Sequence, residues 1–93
     1  MMTVDEARSA FEQYVREHPL PLQGTLHVDG WFEDADDFLP VWGAREFYVD
    51  GDPTYTRMDN LVVLIDKRSG AVRREDRFAS FDKVKKMTRV ASS

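Results

Sequence analysis

Leu61-Val62-Val63-Leu64-Ile65-Asp66-Lys67-Arg68-Ser69-Gly70-Ala71-Val72 carries the strongest structural signal in the chain. Its first five residues are apolar and rich in β-branched side chains, and the run is too short for a helix. It is expected to form a central strand covered on both faces. Asp66 to Gly70 then supplies turn chemistry, with Gly70 suited to a left-handed backbone. Ala71-Val72 opens a partner strand that becomes heavily charged at Arg73-Arg74-Glu75-Asp76-Arg77.

Working outward, Thr3 and Glu6 fit a capping box at a helix start. Val4, Ala7, Phe11, Tyr14, Val15 and His18 recur at helical spacing behind it, and Pro19 and Pro21 end the helix because the proline ring disfavours helical geometry. Gly24 opens an alternation with Leu26 and Val28 on one face and Thr25, His27 and Asp29 on the other. Residues 30–37 read as a connection carrying four acids. A second strand is expected over Phe38 to Val49, with Pro40 and Gly43 suggesting an edge position or a bulge. Asp50-Gly51-Asp52-Pro53 is a turn. Ser80 is a candidate cap for a short C-terminal helix with Phe81, Val84 and Thr88 on one side. Ala91-Ser92-Ser93 is expected to fray. The order predicts one α+β domain over residues 1–93: an N-terminal helix, about four mainly antiparallel strands and a short C-terminal helix.

The 93 residues are 42% hydrophobic and 32% charged, values that suit a globular domain rather than a disordered one. The absence of cysteine excludes disulfides, thiolate metal sites and cysteine nucleophiles, and it suits a reducing, cytoplasmic setting. No apolar run reaches the roughly 18 residues of a membrane span, and the acidic start lacks the features of a signal peptide. The net charge of −4 conceals a segregation. Residues 1–66 hold 4 basic and 14 acidic side chains, a net −10, and residues 67–93 hold 9 basic and 3 acidic, a net +6. Such asymmetry points to charged partners or to self-complementary packing.

Little in the chain points to catalysis. His18 and His27 share no helical face and lack ligand-spaced partners, so no metal site is expected. Glu33, Asp34, Asp36 and Asp37 miss the calcium-loop pattern of alternating donors, central glycine and distal glutamate. No nucleophile elbow, phosphate-cradling glycine loop or His-Glu-x-x-His helix is present. The expectation is a non-enzyme without cofactors. The basic segment Arg73, Arg74, Arg77, Lys83, Lys85, Lys86 and Arg89 offers a nucleic-acid surface, opposed by the acidic remainder.

Arg45-Glu46-Phe47-Tyr48-Val49-Asp50-Gly51-Asp52-Pro53-Thr54-Tyr55, then Asn60, then Val63 to Val72 with its Asp66-Lys67-Arg68-Ser69-Gly70-Ala71-Val72 end, resembles the YrhB family, also catalogued as immunity protein 35. The likeness spans roughly residues 42–72. It departs from the family pattern at Met58-Asp59-Asn60-Leu61 and after Val72, where this chain turns basic. The resemblance implies a small α+β protein without an active site that neutralises a toxin by binding it. On that reading Glu33, Asp34, Asp36, Asp37, Asp50 and Asp52 would steer a basic partner, with Trp31, Phe32 and Tyr55 as aromatic anchors. A phage- or mobile-element-encoded regulator that redirects a host protein is the alternative, and a nucleic-acid binder using the basic segment is the third. An exposed edge at Phe38–Val49 also leaves a homodimer open.

Overall fold

In the computed structural model of the chain, which describes residues 2–57 and 59–91, helix α1 spans Val4–Glu17 and starts on the expected capping box. Thr3 N–H donates to Glu6 Oε1 at 2.9 Å and Glu6 N–H to Thr3 Oγ1 at 3.2 Å. Strand β1 follows at Leu26–Glu33, β2 at Asp37–Ala44 and a single helical turn α2 at Arg45–Tyr48. A 3₁₀ turn at Pro53–Tyr55 precedes β3 (Leu61–Asp66), β4 (Val72–Asp76), a short helix α3 (Phe81–Lys85) and β5 (Thr88–Arg89). The strands form one antiparallel sheet ordered β4-β3-β2-β1-β5. The architecture is α+β. Among the described residues no helix is long and apolar enough to cross a membrane. Of the expected frayed end, residues 92 and 93 lie outside the described ones.

The hairpin read from 61–72 forms with its turn chemistry intact. Asp66 Oδ1 accepts from the N–H groups of Arg68 and Ser69, and Gly70 takes φ +76°. Alternation then places Val63 and Ile65 beneath α1, with Ala7, Phe11, Trp31, Phe38 and Trp42. Leu64 faces the other way, into a smaller cluster with Leu39 and Met87. The apolar run is thus covered on both faces, as its composition predicts, although β3 is second from the sheet's edge.

Four local features depart from the expectations. Residues 30–37, read as a connection, are mostly strand: β1 runs on to Glu33 and β2 opens at Asp37, because Asp34 Oδ1 closes a tight turn by accepting from the N–H groups of Asp36 and Asp37. The strand drawn over residues 38–49 stops at Ala44. Arg45 N–H donates to Thr25 O at 2.7 Å, and the Glu46 carboxylate accepts from Thr25 N–H and Oγ1–H, so the chain is pinned to the start of β1 and turns into α2. The bulge lies in β1 rather than β2: Val28 pairs with Trp42 and Gly30 with Val41, leaving Asp29 as an extra residue. That extra residue flips the alternation, so Leu26, Val28 and Trp31 all face α1. At the C-terminus, α3 ends at Lys85 and Thr88-Arg89 pairs with β1 at Glu33 and Phe32, giving five strands rather than four. Ser80 stands at the N-cap position of α3 but makes no capping hydrogen bond.

Pro40 has a positional meaning of its own. Strand β2 is internal, not an edge, yet its pairing with β3 ends after Asp37↔Asp66 and Phe38↔Ile65. Asp36 O accepts from Lys67 N–H and Trp42 O accepts from Arg57, so even-numbered residues of β2 direct their backbone groups toward β3. Pro40 therefore offers no N–H at the next ladder position, and the two strands separate. Arg57 spans the gap, with Nη1 donating to Trp42 O and Nη2 to Leu61 O, each at 2.7 Å. Its guanidinium lies 3.4 Å from the Trp42 ring centroid, and Asp59 accepts from Nε at 3.0 Å.

Replacing Arg57 by Ala is expected to cost about 2–3 kcal/mol in urea unfolding, because two strand carbonyls and the Asp59 carboxylate lose their donor together. Arg57→Lys should recover little of this, since one ammonium cannot reproduce the planar fork. An unchanged midpoint in the Ala variant would refute the bridging role.

Candidate functional site

Four of the six acids singled out in the sequence, Glu33, Asp34, Asp36 and Asp37, lie at the tip of the β1–β2 hairpin, and all but Asp36 pair with bases from residues 67–93. Asp37 is only 2% exposed, on the sheet face opposite α1. Arg73 of β4 grips it with both terminal nitrogens, Nη1 to Oδ1 at 2.7 Å and Nη2 to Oδ2 at 3.0 Å. Lys83 of α3 reaches Asp37 Oδ2 at 2.8 Å and Asp34 Oδ2 at 2.6 Å. Asp34 also closes the turn, its Oδ1 accepting from the N–H groups of Asp36 and Asp37. On the α1 side, Lys67 donates to Glu33 at 2.8 Å and lies over the Phe38 ring. The charge segregation along the chain is in good part resolved by this self-complementary packing.

Burial alone would push the Asp37 carboxyl up, but the Arg73 and Lys83 hydrogen bonds outweigh it and hold the group below its ordinary value. Asp34 behaves alike: burial raises it, while Lys83 and the turn amides bring it lower overall. Lys83 is disfavoured by burial and raised overall by its two carboxylates. Carboxyls held in this way stay ionised and saturated with donors near neutral pH, which removes them as general acids.

The expected contact residues do not form one surface. Trp31 is 6% exposed and packs edge-on against Phe11 and Phe38, so it and Asp37 present almost no surface to a partner. Phe32 is half-buried against the Leu39–Leu64–Met87 cluster. Asp36 is exposed at the hairpin tip, while exposed Asp50 and half-buried Asp52, which caps the 3₁₀ turn through Thr54, follow α2 beyond the other end of β2. The strand between them is about 23 Å long at roughly 3.3 Å per residue.

Tyr55 is different, because it lines an open groove of about 410 Å³ on the face away from α1. Its floor is Leu39, Val41 and Gly43 of β2 with Val62 of β3. One wall is aromatic, from Phe47 and Tyr48 of α2 and from Tyr55. The other is Phe81, Val84 and Lys85 of α3 with Arg77 before it. The volume falls within the roughly 300–1,000 Å³ of ligand-binding cavities. Gly43 makes room for the aromatic wall, since a Cβ there would meet Tyr48 at 2.6 Å. Phe47 and Phe81 remain 38% and 58% exposed at the two sides, with Phe78 beyond them at 74%.

Phe47 and Tyr48 fall within the strand expected over Phe38 to Val49, so the sequence does not set them on the wall of a groove. The available signal was the Gly43-Ala44 break before Arg45-Glu46, two good helix formers. Among the described residues no three His, Asp or Glu side chains are placed to hold a metal ion. Family models, curated proteins and solved structures give no match to this chain.

The ion cluster makes a pH prediction. Because the folded Asp37 carboxyl lies below its unfolded value of about 3.9, its stabilisation is complete above that pH and is lost as pH falls through the folded value. Stability should decline on acidification below about pH 4, and Asp37→Asn should remove part of that slope. The substitution should cost about 2–3 kcal/mol at pH 7, somewhat less than a fully buried pair because Arg73 remains partly exposed. Urea midpoints measured across pH 2.5–7 check both statements; equal acid slopes in the two proteins would count against this role for Asp37.

Proposed function

We propose that this protein is a non-enzymatic protein-binding module of the immunity type, docking its partner over the sheet face that α1 leaves open. The observation that carries the reading is the aromatic-walled groove there, with Phe47 and Phe81 exposed on either side. Aromatic side chains around a concave apolar floor are the usual composition of interface anchors. The resemblance of residues 42–72 to the YrhB family supplies the immunity assignment, and it includes Phe47, Tyr48 and Tyr55 of the aromatic wall.

The reading favours a protein over a nucleic acid. Arg73 and Lys83 are committed to Asp37, Lys67 to Glu33, and Arg74 donates to Tyr14 Oη and to the carbonyls of His18 and Pro19. Two of the segment's seven bases are thus neutralised at the ion cluster and a third is held by neutral oxygens. Steering by exposed acids, Asp29, Asp36 and Asp50 among them, would accelerate encounter without forming the contact centre.

The test is calorimetry of the purified protein against the products of the reading frames that flank its gene, paired with a growth assay of co-expressing cells. The reading predicts a 1:1 complex and relief of toxicity. Phe47→Glu and Phe81→Glu should each weaken binding by at least about 30-fold, as loss of an interface anchor does. Absence of both binding and protection would overturn the immunity assignment.

A further inference from the structure

We infer that the groove receives a short apolar segment of a protein partner that carries carboxylates on the side facing α3. The inference rests on the protein-binding reading and adds the chemistry of what is bound.

Charge across the groove is the basis. Four charged side chains line it, one acid, Asp59, and three bases, Arg57, Arg77 and Lys85. Arg57 and Asp59 satisfy one another and the strand carbonyls. Arg77 is exposed and has no ion-pair partner among the described residues. Lys85 has one ion-pair partner among the described residues, Asp82 at 3.3 Å, with side chains 51% and 85% exposed, a pairing that holds the ammonium weakly; the ammonium also lies 5.5 Å from the centroid of the Phe81 ring. The α3 wall thus presents two available cations beside an apolar floor, on a chain whose net charge is −4.

A second copy of the chain fits this arrangement poorly. A two-fold interface sets the same patch against itself, which would bring Arg77 and Lys85 of both copies together around the groove. A nucleic-acid strand stacked on the aromatic wall would meet Asp50 and Asp52 just beyond α2. A peptide with aliphatic or aromatic anchors satisfies the floor and the aromatic wall, and its carboxylates satisfy the cations of the opposite wall.

Selection of random dodecapeptides displayed against the full protein tests this. Enriched sequences should combine aromatic or large aliphatic residues with Asp or Glu. A synthetic peptide made from the consensus should lose at least 10-fold in affinity to the double variant Arg77→Glu, Lys85→Glu, and binding should weaken as salt rises. Both positions are exposed, so the variant keeps the fold, and its urea midpoint verifies this. Phe81→Ala, also at an exposed residue, should weaken the same peptide without changing any charge.

Basic consensus sequences, or no enrichment, would overturn the inference. So would a peptide indifferent to the groove variants but lost on Asp36→Lys and Asp50→Lys; in that case the protein-binding reading would stand while the groove assignment fell. A concentration-dependent dimer abolished by Phe81→Glu, or tight binding of labelled oligothymidylate that groove variants remove, would replace the peptide with a second copy or a nucleic acid and likewise overturn it.

Discussion

A single carboxylate, Asp37, joins elements that the chain separates widely. It begins β2, and the groups that neutralise it come from β4, through Arg73, and from α3, through Lys83. At 2% exposure an unpaired charge there would be costly, so the cations of β4 and α3 stabilise the hairpin tip as they neutralise it. α3 is only five residues long and lacks a side-chain cap, so it has little helical stability of its own. It is held by Lys83 on one side and by Val84 and the adjacent Met87 packed against Leu39 and Leu64 on the other. Since α3 forms one wall of the groove, the ion cluster determines where that wall stands.

What could be read in advance was local. The capping box of α1, the proline stop and the Asp66–Gly70 hairpin all depend on residues within a few positions of one another, where chemistry and spacing suffice. The apolar run at 61–65 was also legible because continuous β-branched character has few alternatives. Features that failed to show in the sequence depend on pairing. Nothing in Val28-Asp29-Gly30 announces that Asp29 will be the extra residue, yet that bulge turns Trp31 from a surface candidate into a core residue. Pro40 reads as an interruption in the sequence, but its consequence, an internal gap spanned by Arg57, depends on β3 lying alongside.

The segregation of charge illustrates the same limit. Sequence alone admitted either a charged partner or internal complementarity for the −10 and +6 segments. The structure brings Lys67, Arg73 and Lys83 of the second segment onto Glu33, Asp34 and Asp37 of the first. Acids that looked like a docking surface prove to be cement at the hairpin tip. Two exposed aromatic side chains, Phe47 and Phe81, by contrast flank the groove, where Tyr55 alone among the expected contact residues takes part.

The position of α3 therefore depends on the ion cluster. Native-state hydrogen exchange in a Lys83→Met variant addresses this most directly, because methionine keeps the length and apolar stem while removing the charge. Exchange should accelerate at the amides of Val84, Lys86 and Met87, which bond only within α3 and its end, while the β3–β4 amides keep their relative protection. Uniform acceleration across the sheet, or unaltered protection in α3, would contradict the claim that Asp37 fixes the wall of the groove.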